Sequence, residues 1–350
     1  MKKYKFNNLI LLFSILFIFI LSSCSIINNN ENDDNNTINY TNDSTDADEE
    51  WEPPVSDNPN GYKITFDCNN DNIKDTTSNK DDKVPLPTKK PYKPCAKFLG
   101  WFSDTDCTKA YDFNSKVRSE LTLYAGWDID VEALTTKIYQ TTIKSNVKIT
   151  SQPHTRFSKS TTINQGSGVI FAENENKYYL LTNNHVVYYN TNEYIGSSYI
   201  VTDCYGNQIE ASLVNMNANY DLAILSIRKD LITRDLAVTN VCQHDIKIGD
   251  KCVSLSTPDG LINSISFGKV TGYNLFKPET ETLELNNINF NIIVNSAYIE
   301  SGSSGGALID SNLKVAGIQF ASASDYNNEY LRSFAVPASK ITEYIKTVFN

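Results

Sequence analysis

Histidine is scarce in this chain: His154, His185 and His244 are the three among 350 residues. No cluster of histidines and cysteines has the spacing of a metal site, so no metal is expected. Long apolar runs are missing too. The most extended one, Leu9 to Leu21, is too short to span comfortably a hydrocarbon core of about 30 Å. Basic residues are absent from residues 24–60, where six Asp and four Glu stand without a Lys or Arg. That stretch alone equals the chain's formal net charge of −10, and from Gly61 onward 28 basic residues face 31 acidic ones. Such a balance excludes the concentrated positive charge that nucleic acid requires of a partner.

What is present begins with a processing segment. Lys2, Lys3 and Lys5 precede the apolar run, and Leu21-Ser22-Ser23-Cys24 closes it, which reads as a signal peptide over residues 1–23. The Leu-Ser-Ser-Cys box resembles the bacterial lipoprotein signal. That resemblance implies a lipid on Cys24, which would hold the exported protein on the extracellular face of the bacterial cell membrane. Residues 24–60 are acidic and Asn-rich, with few aliphatics, and cannot bury enough surface to offset the entropy of ordering. They are expected to form a disordered tether reaching about 30 to 35 Å. Six further cysteines, Cys68, Cys95, Cys107, Cys204, Cys242 and Cys252, allow many pairings, and spacing selects none. They read as free or partly paired structural cysteines.

From Gly61 the chain alternates as a strand, "GYKITFDCNN", and after a Pro- and Lys-rich segment resumes with "FLGWFSDTDCTKAYDF" and "LTLYAGW". Three or four short strands between turn signals make residues 61–128 a small β-rich module. These segments resemble one copy of the Listeria–Bacteroides repeat of bacterial surface proteins. The likeness implies a β-grasp-like spacer or adhesive module without catalysis, with a surface ligand as the alternative role.

Residues 129–145 read as a helical connector in which Val131, Leu134, Ile138 and Ile143 share a face. From Asn146 onward many short β-branched runs, broken by Gly, Asn and Asp at the intervals of an all-β sandwich or barrel pair, predict a mostly β domain over residues 146–350, a length that suits two barrels. A closing helix is predicted with Ser339 as N-cap and Ile341, Ile345, Val348 and Phe349 on its apolar face.

The stretch "ESGSSGGALID", residues 300–310, carries the chemistry. A serine hydroxyl is a poor nucleophile at neutral pH and needs a base and backbone donors for the oxyanion. In G-x-S-G-G the flanking glycines let N–H groups converge, which selects Ser304 over Ser303. His185 ends the apolar strand "YYLLTNNHVV", whereas His154 and His244 lie in polar segments. Asp221 stands ahead of the hydrophobic strand "LAILSI", where a carboxylate needs a partner. The chain order His185, Asp221, Ser304 is that of chymotrypsin-like proteases and of no other common serine hydrolase order.

In order, "GSGVIF", "LLTNNHVV", "YDLAIL", "SAYIESGSSGGALID", "VAGIQFA" and "FAVPASKI" resemble the motifs of the Deg/HtrA trypsin-like serine proteases, over residues 133–348. This implies a chymotrypsin-like double β-barrel with a C-terminal helix. It makes Ser304 the nucleophile, His185 the base and Asp221 its orienting carboxylate. The oxyanion hole would be the N–H groups of Gly302 and Ser304, with Ser303 a backbone element between them. Substrate would meet Ile299 and pair as an added strand along Ile318, Gln319 and Phe320. Tyr298 stands where a trypsin-like pocket places its acid, and Glu300 is expected to point elsewhere. Small or medium apolar residues are therefore expected before the scissile bond. The family usually carries PDZ modules after the protease domain, and none is expected here.

The expected function is thus a lipid-anchored extracellular serine endopeptidase acting on unfolded or surface proteins, without a cofactor. Its partners would be protein or peptide substrates and the membrane. The rival expectation is a catalytically silent surface adhesin that binds through the repeat module.

Overall fold

The computed structural model describes residues 51–69, 72–155, 163–189, 195–276, 287–327 and 329–349. The expected signal peptide, Cys24 and the tether up to residue 50 lie outside the described residues. Among the described residues no helix is long and apolar enough to cross a membrane.

The first module is a four-stranded sheet of β1 (Lys63–Asp67), β2 (Ile73–Thr77), β3 (Ala96–Phe102) and β4 (Leu121–Ile129), in the order β2-β1-β4-β3. The central pair β1 and β4 is parallel and the outer pairs are antiparallel, a β-grasp-like order. Ile64, Phe66, Leu123 and Ala125 turn one face into a core that holds Trp101. Residues 51–60, placed in the expected tether by their charge pattern, are tied to this sheet. Trp51 is 6% exposed, stacks edge-on against Phe66 at 5.5 Å and donates its Nε1–H to Lys89 O at 3.1 Å. The hydroxyls of Ser56 and Thr76 then tie residues 54–56 to β2 and its end. Residues 51–60 therefore belong to the module, because one buried indole and these hydrogen bonds outweigh the acidic composition around them.

Helix α1 (Val131–Gln140) is capped by Asp130, whose side chain accepts the N–H of Ala133. It buries Leu134 and Ile138, while Val131 is exposed and Ile143 falls in the 3₁₀ turn Thr142–Ser145. The expected face is thus two residues wide within the helix.

Two six-stranded barrels follow, the expected chymotrypsin-like pair. The first closes β5 (Asn146–His154), β6 (Asn164–Glu173), β7 (Lys177–Thr182), β8 (Gly196–Thr202), β9 (Gln208–Asn217) and β10 (Leu222–Arg228) in the order β10-β7-β6-β5-β8-β9. The second closes β11 (Lys251–Ser256), β12 (Ser264–Leu275), β13 (Asn291–Asn295), β14 (Ala307–Ile309), β15 (Val315–Ser324) and β16 (Tyr330–Pro337) in the order β11-β12-β13-β16-β15-β14.

Alternation sorts β10 onto two sides. Ala223, Leu225 and Ile227 fill the first barrel, whereas Leu222 and Ile224 face a second cluster with Val253, Leu255, Ile309, Ile318 and Phe320 of the other barrel. Burying each such side chain contributes about 1.5–3 kcal/mol, so the seam between barrels is itself a core. Helix α3 (Ala338–Phe349) closes that seam with Ile341 and Tyr344, and Ile345 and Val348 pack beside them. Ser339 does not cap α3. It lies inside the first turn, where its N–H and hydroxyl both donate to the Asp245 carboxylate at 2.8 Å.

The module meets the second barrel through lysines. Lys247 Nζ reaches the Asn69 side chain, lies 3.6 Å from Asp67 and sits over the Tyr124 ring at 5.1 Å. Lys251 Nζ donates to Ile129 O at 3.2 Å.

Candidate active site

The site forms where strand ends of the two barrels face the seam. β7 ends at Thr182, Asn183 turns the chain, and the short helix α2 (Asn184–Val187) carries His185. Asp221 immediately precedes β10 at φ +50, a left-handed conformation that Asp tolerates better than most residues. Asn183 Nδ2 donates to the Asp221 carbonyl at 2.9 Å and so ties the two strand ends together.

The Asp221 carboxylate is fully buried. Its Oδ1 accepts the backbone N–H of His185 at 3.0 Å, and its Oδ2 lies 2.8 Å from His185 Nδ1. An isolated carboxylate here would cost several kcal/mol, and two N–H partners on one residue offset that cost. With Nδ1 as donor, the neutral imidazole carries its lone pair on Nε2.

Ser304 lies in the turn before β14. Its carbonyl accepts the N–H of Ser167 in β6 at 2.7 Å, and a methyl on neighbouring Gly166 would meet that same carbonyl and the side chain of Val186, next to His185. The turn that carries Ser304 is thereby pressed against the first barrel beside α2. Ser304 Oγ donates to Phe320 O at 3.3 Å. The register of β15 against β16 skips Phe320, a bulge that leaves the residue without a cross-strand partner.

Every carbonyl from Glu300 to Ser304 is held. Glu300 O accepts from Ser303 N, Ser301 O from Asp259 N at 2.8 Å, Gly302 O from Ser167 Oγ at 2.8 Å and Ser303 O from Gly306 N at 2.9 Å. The N–H groups of Gly302 and Ser304 have no protein acceptor among the described residues, whereas those of Ser303, Gly305 and Gly306 are all taken. Gly302 and Gly305 adopt φ of +87 and +86, which lets the turn run this way. Two free N–H groups on one turn can stabilise an oxyanion on a bound carbonyl.

Ser303 is more than a spacer. It is fully buried, and its hydroxyl accepts the Glu300 N–H at 3.3 Å and the Ser256 hydroxyl at 3.2 Å.

The expected substrate edge shifts. Ile318 is buried in the seam and pairs with Ala307 and Val336. Gln319 donates its N–H to Gly306 O and accepts from Gly305 N, while its side chain meets Asn295 inside the barrel. Neither residue has main chain left for an added strand. Ile299 is buried as well, and its half-exposed neighbour is Tyr298, whose ring meets Tyr330 at 4.9 Å. Glu300 is exposed and accepts the Tyr298 hydroxyl. His154 ends β5 and His244 lies on the second barrel near the repeat module, so neither joins the site.

Residues 166–318 match the family described as Trypsin-like peptidase domain, and residues 62–126 match the Listeria-Bacteroides repeat domain. The Serine protease Do-like HtrA of Bacillus subtilis is 29% identical over 202 residues, 57% of this chain and 42% of that protein. The Periplasmic pH-dependent serine endoprotease DegQ of Escherichia coli is 30% identical over 174 residues, 50% of this chain and 35% of that protein. The chain thus spans about two-fifths of the length of these relatives. A crystal structure of an M. tuberculosis protease in its active form shares the fold, with a TM-score of 0.50 and 20% identity over 63% of this chain and 87% of that one.

Proposed function

We propose, from the premise that this chain carries a trypsin-like peptidase domain of the HtrA type behind a Listeria-Bacteroides repeat domain, that it is a serine endopeptidase of unfolded or surface proteins. The observation that carries this reading is Asp221 holding both His185 N–H groups while the neighbouring turn keeps two N–H groups free.

In this reading a peptide carbonyl enters beside Ser304 with its oxygen on the N–H groups of Gly302 and Ser304. His185 Nε2 takes the Ser304 proton as Oγ attacks, and the imidazolium is stabilised by Asp221. The same nitrogen then protonates the leaving amine, and water releases the acyl group by the reverse sequence. Each oxyanion donor is worth about 10²–10³ in kcat. Peptide main chain pairs with the β15 edge from Phe320 onward. The exposed Tyr298 and buried Ile299, with no carboxylate at Tyr298, favour small or medium apolar residues before the scissile bond. The lipid on Cys24 and the acidic segment after it would hold the enzyme at the extracellular face of the membrane, with the module of residues 51–128 ahead of the protease domain.

The test is fluorophosphonate labelling of Ser25–Asn350, with casein hydrolysis in parallel. Both are expected to vanish in Ser304→Ala and to persist in Ser303→Ala. A wild-type protein that never labels, even beside unfolded substrate, would sink the protease reading and leave a binding role for the repeat.

A further inference from the structure

We propose that Ser167 is a positioning residue of this active site, its hydroxyl fixing the peptide plane between Gly302 and Ser303 so that the neighbouring N–H groups stay aimed at the oxyanion. The inference rests on the protease reading for its catalytic consequence.

Ser167 sits in β6 of the first barrel and is fully buried. Its Oγ donates to Gly302 O at 2.8 Å and accepts the N–H of Thr257 at 2.8 Å, with Thr257 Oγ1 at 2.9 Å. Thr257 follows the last residue of β11 in the second barrel. One hydroxyl therefore joins the first barrel, the second barrel and the nucleophile turn. Its single hydrogen goes to Gly302, and both lone pairs have donors within reach.

The backbone of the same residue completes the grip. Its N–H donates to Ser304 O at 2.7 Å, and its carbonyl accepts Thr182 Oγ1 at 2.8 Å. Ser167 thus holds the carbonyls at 302 and 304, on either side of Ser303. Of these bonds only those of the hydroxyl depend on the side chain.

The hydroxyl matters because Gly302 is the one residue in the grip that can swing. At φ +87 and without a Cβ, its two peptide planes have low barriers to rotation. Asp259 N holds the plane before it through Ser301 O, and the plane after it is held by Ser167 Oγ on the Gly302 carbonyl and by the Ser303 N–H on Glu300 O at 3.0 Å. Removing the Ser167 hydroxyl leaves the Gly302 carbonyl and the Thr257 N–H without their partner in a buried place, with the Ser303 N–H bond to Glu300 O as the remaining hold on that plane. The turn can then rotate toward arrangements that spoil the donor geometry. A displacement near 1 Å at such a site costs up to about 10² in rate.

The test compares the full chain with Ser167→Ala and Ser167→Thr by peptide hydrolysis, fluorophosphonate labelling, thermal melting and amide exchange across residues 298–306. In Ser167→Ala, kcat and the labelling rate are expected to fall by ten- to a hundredfold with KM within about twofold. Exchange of the 298–306 amides should quicken while β7 and β10 keep their protection. Ser167→Thr, which retains a hydroxyl, should recover part of the rate. Wild-type kcat and unchanged loop exchange in Ser167→Ala would overturn the proposal. So would a loss shared equally by the barrel strands and the melting temperature. If the wild-type protein does not label at all, the protease reading fails, and loop-selective exchange alone decides whether Ser167 positions the turn.

Discussion

Asp221 gives both carboxylate oxygens to His185, one to its backbone N–H at 3.0 Å and one to Nδ1 at 2.8 Å. The first contact fixes where α2 starts, and the second fixes which ring nitrogen holds the proton. Asp221→Asn can keep the first contact through its amide oxygen and cannot keep the second, because its NH₂ would face Nδ1–H. The imidazole then favours the tautomer with Nδ1 as acceptor and no free base at Nε2. A fall of about 10⁴ in kcat is expected, with the melting temperature little changed. Hydrolysis assays beside a thermal melt check this, and a variant that keeps most of its rate would remove Asp221 from the mechanism.

Gly305 combines a left-handed φ of +86 with close neighbours. A methyl there would lie 2.1 Å from Ser167 O and 2.3 Å from Thr182 Oγ1. Gly305→Ala must either break the Ser167 contacts or distort the turn that carries Ser304, and a loss of at least tenfold in kcat is expected with about 1–3 kcal/mol of stability. Gly206 is the control. Its φ of +90 is similar, yet nothing lies within 4 Å, so Gly206→Ala should cost about 1 kcal/mol and leave kcat intact.

How much of this was legible depends on how local each signal is. The barrel strands were readable because runs such as "LAILSI" hold six consecutive buried residues in β10, and a carboxylate just ahead of such a run has few structural reasons to be there. Trp51 was not, since one aromatic in an acidic stretch has no period, and only the core it enters explains it. The bulge at Phe320 was invisible for a related reason. It arises from the mismatch between β15 and β16, which neither strand shows alone. Ser167 has no role legible in its local segment "GSGVIF", because its hydroxyl partners are 90 and 135 residues away. The triad residue types could be read in order along the chain, while the hydrogen bonds that hold the turn depend on the closure of both barrels.

Asp310 gives a pH signature unrelated to catalysis. It is 9% exposed at the turn between β14 and β15, and its carboxylate accepts the N–H groups of Asn312 and Lys314 and the Asn312 amide. Burial pushes its pKa above the ordinary 3.8, against the opposing pull of those hydrogen bonds and of Lys93. A carboxyl that holds its proton more tightly when folded adds stability below its unfolded pKa. That contribution is lost as pH rises through the folded value. Asp310→Asn keeps an acceptor for both N–H groups and cannot ionise. Its melting temperature should therefore gain on the wild type as pH rises above the ordinary carboxylate pKa of 3.8, and a difference that stays constant as pH rises would refute the assignment.

The surroundings of the six cysteines described rank the reactivity of their thiols. Cys68 and Cys252 are buried, and desolvation pushes each thiol up to about 12; Cys204, partly exposed, reaches about 11 for the same main reason. At about pH 8 a thiol of that pKa is thiolate in only about one molecule in 10⁴, and alkylation needs both thiolate and access. Iodoacetamide on the native protein should therefore spare Cys68 and Cys252 and modify Cys95 and Cys107 first, slowly, since burial raises their thiols as well. After unfolding, all six should react at similar rates. Peptide mapping by mass spectrometry distinguishes the cases, and fast native labelling of Cys252 would mean that β11 opens far more readily than its place between β12 and β14 implies.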